Sequence, residues 1–207
     1  MLLQNAAGQR LLKGGTVRLA SPVAGGLTDA IAQEILVRWC AGQGVICTPA
    51  QIVIESAGFE HLANLQTGFD GAWLCFANFE GVEARLAGLD TRFIATSDVG
   101  MYNFSALELF TSADFLAEHA DVVRTVTSLI GRGAALCRDN PAEAATMWYR
   151  HTGEQPDARM DAILADTCPR LVGPVIRDAE RWRGMWQQFE TLGMSRVDAA
   201  GYEALYI

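Results

Sequence analysis

The sequence predicts an α/β fold with a parallel or mixed sheet, followed by a mainly helical C-terminal part. Three observations predict it. Short apolar runs alternate with helical periodicities from about Lys13 to Ile94, glycine and proline punctuate the joins, and helical spacing dominates beyond Thr96. Strand, helix, strand, helix in succession is the pattern of parallel strands covered by their connecting helices. The expected organisation is therefore an α/β lobe at 13–95 and a crossover with a mainly helical part at 96–207.

Thr16-Val17-Arg18-Leu19-Ala20 is the first expected strand, bounded by Gly14-Gly15 and Ser21-Pro22. Leu27, Ile31, Ile35 and Trp39 recur every four residues, which places them on one face of a helix that Gly42 can end. Gln51–Glu55 is the second strand, preceded by Pro49, and Phe59–Gln66 suits a short helix closed by Gly68. Ala72–Phe76 is continuously apolar, as expected of a strand buried on both faces. Asn78 is placed to cap a helix running to Leu86, with Gly88 just past its end. Arg92–Ala95 is a fourth short strand, and Thr96–Gly100 reads as a linker.

Past the linker, Ala106–Phe110 is a further strand candidate. Val122, Val123, Val126, Leu129, Ile130 and Gly133 then form one helical stripe. Asn140-Pro141-Ala142-Glu143 has the form of a helix start. Trp182, Met185, Trp186, Phe189 and Leu192 make a second stripe that Gly193 can stop. Such stripes are read as core or interface.

Composition narrows the function. Of 207 residues half are hydrophobic and 19% are charged, enough to build a core. The net charge is −8 with no basic cluster, a poor match to a nucleic-acid grip, which must neutralise phosphates. No apolar run is long enough to span a bilayer. Five scattered cysteines (Cys40, Cys47, Cys75, Cys137, Cys168) form no C-x-x-C, and three histidines lie near no cysteine pair, so neither a metal nor another cofactor is expected. Cysteines among apolar neighbours read as small core residues, and free thiols fit a reducing compartment better than an oxidising one. The first ten residues lack the features of a signal peptide, so the chain as written is expected to carry no export address.

Two segments are candidates for binding. Ser21–Thr28 joins the first strand to its helix, and Gly25, Gly26 and Thr28 could present backbone N–H groups to an anion or polar head. It matches neither a Walker A loop nor G-x-G-x-x-G, and a plain strand-to-helix turn explains it equally well. The second segment places Asn78, Phe79 and Glu80 at the carboxyl end of the apolar run, where open α/β sheets bind ligands. An aromatic ring beside an amide and a carboxylate suits a flat, nitrogen-rich heterocycle. The alternative is that Asn78 caps the helix, Glu80 is an ordinary first-turn acid and the aromatics are core.

Leu65-Gln66-Thr67-Gly68-Phe69-Asp70-Gly71-Ala72 and Asn78-Phe79-Glu80-Gly81-Val82-Glu83 resemble the thiamine-pyrimidine-synthase-like substrate-binding proteins of ABC importers. Leu12-Lys13-Gly14-Gly15-Thr16-Val17 is similar to the opening of that family's second lobe, and Ala113–Ala145, with Asn140-Pro141-Ala142-Glu143-Ala144, to its C-terminal helices. The resemblance implies a type II periplasmic-binding-protein-like fold that closes on a small molecule for delivery to a permease. It assigns Glu80 and Asn78 to a pyrimidine-contacting region, Trp73 or Phe76 to the stacking face, and Gly25, Gly26 and Thr28 to a polar-group position. It also implies a periplasmic location, against a cytoplasmic one if Met1 is the true start. The chain begins where the second lobe of such proteins should, so the expectation is either that a partner chain or a second copy, in a homo-oligomer, completes the cleft or that a shortened protein binds in a different way.

Two other readings stand beside this one. An enzyme on the same scaffold is the first, yet the family's pyrimidine synthases use a lysine-bound pyridoxal phosphate, a histidine and a cysteine-rich motif. This chain has Lys13 as its single lysine and no cysteine cluster. The second is a ligand-free oligomerising fragment whose apolar stripes meet a partner.

Overall fold

A computed structural model describes residues 1–103, 108–173, 175–176 and 178–204. The chain divides into two compact units, Met1–Phe104 with Asp178–Ile207, and Ser105–Arg177.

The first unit is built on a five-stranded mixed sheet in the order β3-β2-β4-β1-β5. The strands are β1 (Leu2–Gln4), β2 (Val17–Ser21), β3 (Ile52–Ser56), β4 (Gly71–Ala72) and β5 (Thr91–Phe93). β2 runs parallel to β3, with Val17 opposite Ile52, and parallel to β4, with Leu19 opposite Gly71. β1 lies antiparallel between β4 and β5, with Leu3 opposite Gly71 and Arg92. The helices are α1 (Asn5–Leu12), α2 (Leu27–Gly42), α3 (His61–Gln66) and α4 (Glu80–Leu86). β2 and β3 fall where the sequence puts them, each shifted by one residue. β1 and α1 are additional: a three-residue strand carries too little pattern to read, yet Leu2 and Leu3 are fully buried.

Of the four-residue period of α2, Ile31 and Ile35 face inward and Trp39 packs against the main core, while the side chain of Leu27 lies outside the described residues. Ile31, Ala32, Ile35, Leu36 and Cys40 are buried with Leu3, Leu11, Val17 and Leu19 in the main core. Gly8 of α1 is required by close packing, since a Cβ there would stand 3.3 Å from the Trp39 ring. The stretch read as a linker is instead a 3-10 turn at Ser97–Val99, followed by Gly100 at φ 66°. Arg38 of α2 donates to the Gly100 carbonyl (3.3 Å), and Met101 is buried in the main core.

The expected strand Ala72–Phe76 is corrected. Pairing stops soon after Ala72: the Trp73 amide still donates to the Ala20 carbonyl (2.8 Å), but Leu74 turns into the left-handed region at φ 61°. A non-glycine residue pays about 1 kcal/mol or more for that conformation. Burial explains why the turn is nonetheless apolar. Trp73 and Leu74 join the main core, while Cys75 joins Leu2, Leu65, Ala72 and Ala84 in a smaller cluster.

The final stripe of the sequence also packs on this unit. α9 (Ala179–Thr191) buries Met185, sets Phe189 against the main core, and stacks Trp186 on Tyr202 of α10 (Ala199–Ala204) at 4.9 Å between centroids. Gln188 accepts from the Tyr102 amide at 2.9 Å, and the Tyr102 ring lies directly on Gly184, which has no Cβ to displace it.

The second unit is helical: α5 (Ala113–Glu118), α6 (Ala120–Asp139), α7 (Pro141–Thr152) and α8 (Ala158–Thr167), then a 3-10 turn at Cys168–Arg170. Pro141 opens α7 as its sequence predicts, although the Asn140 side chain makes no capping hydrogen bond. The stripe on α6 is not core, for Val122, Val126, Leu129 and Ile130 are exposed. Of the strand expected at Ala106–Phe110, residues 106 and 107 lie outside the described residues, and 108–110 have no regular structure.

Candidate functional site

β2, β3 and β4 run in one sense, and β5 shares it because β1 is antiparallel to both β4 and β5. Segments 22–26, 57–60, 73–79 and 94–98 therefore leave the sheet along one edge. Carboxyl ends of strands are where such sheets present ligand-binding loops.

Carboxylates fix three of these loops. Asp29 accepts from the Gly25 amide and from the Ser21 hydroxyl (3.3 Å). Glu80 Oε2 accepts from the Phe76 amide at 2.7 Å, and Asp98 Oδ2 from the Ala95 amide at 2.9 Å. Each acid stands in the first turn of its helix or 3-10 turn and reaches back three or four residues. Negative charge there is favoured by the helix dipole, and a charge-assisted bond to an amide holds the loop in one shape.

These bonds define what each expected site residue can do. Gly25 and Gly26 are exposed and Thr28 is half-buried, but the Gly25 N–H is already engaged by Asp29. A second anion would meet that carboxylate, so the turn suits a neutral or cationic group better. Glu80 is half-buried, with Oε2 holding the loop and Oε1 as the atom that could accept from a ligand. Asn78 is half-buried one position before the N-cap of α4, which is Phe79 and not Asn78. The correction follows from the back-bond of Glu80, which starts the helix one residue later. Trp73 is 3% exposed and packed in the main core, whereas Phe76 is 47% and Phe79 37% exposed. Of the two rings expected to stack, Phe76 is the one with a face to offer. A hollow of about 470 Å³ beside α4, lined by Gly81, Arg85 and Phe93 among others, includes none of the expected site residues.

His61 escaped the sequence reading. It opens α3 and is 3% exposed, with Nδ1 buried and no hydrogen-bond partner among the described residues. Burial pushes its imidazole below the usual histidine range, opposed by the charges of Glu80, Glu60 and Glu83. The available signal was spacing: His61 and Leu65 share a helix face, and both are buried. The neutral form is thus the native one. The unfolded chain binds a proton as pH falls through 6.5, so stability is full above that value and declines below it. Urea midpoints measured at about pH 7.5 and about pH 5.5 should fall with acidity, and His61→Gln should flatten that dependence.

Cys75, in the loop after β4, and Cys47, ahead of β3, are poor nucleophiles. Burial pushes the Cys75 thiol up to about 12, and burial also raises that of Cys47. Neither carries appreciable thiolate at neutral pH.

The mixed α/β sheet, with its loops gathered at the carboxyl ends of the strands, is of the periplasmic-binding-protein-like class. Residues 23–144, more than half of the chain, match the NMT1/THI5-like family, and the chain belongs to that family. Comparison with curated proteins gives no match. Membership ties the chain to small-molecule binding, in a solute-binding or pyrimidine-related role. No helix among the described residues is long and apolar enough to cross a membrane.

Proposed function

We propose that the chain is a solute-binding protein for a small heterocycle of the pyrimidine or thiamine-precursor type, handed on to an ABC permease. The observation that carries the reading is the loop after β4. There an exposed ring, Phe76, stands four residues from a half-buried carboxylate, Glu80, that also pins the ring's own amide. A flat aminopyrimidine stacks on the ring while its amino group donates to Glu80 Oε1, and Asn78 supplies a further polar contact. The carboxylate already seated at Gly25 fits a guest that brings donors rather than an anionic head. On this reading residues 13–95 correspond to the second lobe of a binding protein, and 96–207 to the C-terminal share of the first. A further chain or a second copy closes over the ligand.

Thermal shift tests the reading directly, because a ligand bound only by the native state raises the melting point. Among aminopyrimidines, thiamine, riboflavin and alkyl sulfonates, an aminopyrimidine should give the largest shift. Phe76→Ala should weaken its binding roughly fivefold through the lost stacking, with little change in the ligand-free midpoint. Glu80→Gln keeps an acceptor for the Phe76 amide but removes the charge, and should weaken binding about tenfold or more. Unshifted melting across the panel, or shifts that neither substitution alters, would overturn the assignment.

A further inference from the structure

α6 is a twenty-residue helix that buries none of its side chains, and its two sides differ in chemistry. Val122, Val126, Leu129 and Ile130 form the exposed apolar side. On the other side Arg124, Ser128, Arg132, Ala135 and Arg138 recur every three or four residues, which sets them in one row at 3.6 residues per turn. That row borders a cavity of about 480 Å³, to which Gly173 and Val175 contribute the facing backbone segment. The segment comes close because two glycines meet at the crossing. A Cβ at Gly173 would stand 3.3 Å from the Gly131 carbonyl oxygen. Every one of these residues belongs to the helical unit.

The charge of this cavity runs against that of the chain. Acidic residues outnumber basic ones by eight overall, yet three guanidinium groups and no carboxylate line the hollow. Arg10, Arg18, Arg38 and Arg170 are each paired with a carboxylate. Arg124 and Arg132 make no ion pair among the described residues, and Asp121, one turn ahead of the row, lies outside the lining. Arg138 meets its exposed neighbour Asp139 at 3.0 Å, a contact of a kind that contributes little and exchanges readily. Two hydroxyls complete the polar lining. That of Thr127 donates to the Val123 carbonyl (3.0 Å), whereas that of Ser128 has no partner among the described residues.

We propose that this cavity is a second binding site, carried by the helical unit, for a small molecule bearing a diphosphate. Guanidinium groups meet phosphate oxygens in paired, charge-assisted hydrogen bonds, and their charge does not depend on pH in the physiological range. The row is long for one tetrahedral anion: Arg124 and Arg138 are fourteen residues apart, about 21 Å along the axis. Two linked phosphates can draw on all three arginines, where a lone phosphate leaves an outer one idle. The Ser128 hydroxyl donates to a phosphate oxygen between Arg124 and Arg132. Val175 offers an apolar edge to any organic group that the diphosphate carries.

Calorimetric titration of the full chain with inorganic pyrophosphate at low ionic strength tests this. One pyrophosphate should bind per chain, with orthophosphate about tenfold weaker. Arg132→Gln should weaken pyrophosphate binding about tenfold or more, through the lost charge-assisted bonds. Arg132→Lys keeps the charge but loses the planar fork, and should recover only part of that loss. Arg150→Gln, at an exposed arginine of α7 outside the lining, should bind as the parent does. Both arginines are exposed, so none of these changes puts the fold at stake. Phe76→Ala should also leave pyrophosphate binding unchanged, whatever it does to heterocycle binding. A nucleoside diphosphate that competes at lower concentration assigns the site to an organic diphosphate, and one that competes more weakly assigns it to the inorganic ion. Absence of saturable binding, several weak equivalents per chain, or equal losses for Arg132→Gln and Arg150→Gln would overturn the site and leave only diffuse attraction to surface charge.

Discussion

Gly71→Ala should destabilise the α/β unit by about 3 kcal/mol, read as a lowered urea midpoint in tryptophan fluorescence. Gly71 occupies the short central strand β4, opposite Leu19 of β2 and Leu3 of β1. A Cβ built there stands 2.6 Å from Leu19 Cδ2 and 2.8 Å from the Leu2 carbonyl oxygen. The Leu19 side chain is fully buried and can retreat only into neighbours that already fill the core. The Leu2 oxygen is backbone in the adjoining strand, so relieving that contact means parting β1 from β4. The loop that carries Phe76 and Glu80 springs from this strand, and ligand-induced stabilisation should fall along with the midpoint. Gly42→Ala provides the contrast. Nothing lies within 4 Å of a Cβ at that helix end, and the change should be neutral or slightly favourable. Equal effects at the two positions would mean that β4 is not held as tightly as its contacts indicate.

How much of this was legible in the sequence depends on where the deciding contacts come from. β2, β3 and α2 were legible because local features fix them: glycine and proline at the joins, and a four-residue apolar period between. The apolar run Ala72–Phe76 was misread because continuous hydrophobicity signals burial and not conformation. Its turn is set by Leu74 at positive φ, and Leu74 has no local sequence mark of that geometry. Asn78 was the better capping residue by type, but Glu80 reaching back to the Phe76 amide outweighs it. At the Gly25-Gly26 turn the pattern of glycines was visible, whereas the use of its amide by Asp29 requires a folded loop.

β1 is the sharpest case, and Leu3→Ala tests it. Leu3 sits near the start of the chain, where a side chain in an unpaired terminus would contribute almost nothing. Its backbone instead pairs on both sides, with Gly71 and with Arg92, and its side chain is 0% exposed within the main core. It also touches the space over Gly8, where a Cβ would stand 3.4 Å from Leu3 Cδ2, so strand and following helix share the same packed contact. Removing three buried carbons leaves a cavity with rigid walls, and such Leu→Ala changes cost about 2–5 kcal/mol. The prediction is a loss in that range, measured by urea unfolding at neutral pH. Ile46→Ala, at a loop position 91% exposed in the same unit, should change the midpoint hardly at all. The comparison separates burial from hydrophobicity, since both substitutions remove the same number of carbons. If Leu3→Ala were as silent as Ile46→Ala, β1 would be an ornament on a three-stranded parallel core, and β5 with the 94–98 loop would lose its tie to the carboxyl edge of the sheet. A large loss at Leu3 means that the antiparallel strand holds the two sides of the sheet together. The loops at its edge would then be positioned by all five strands.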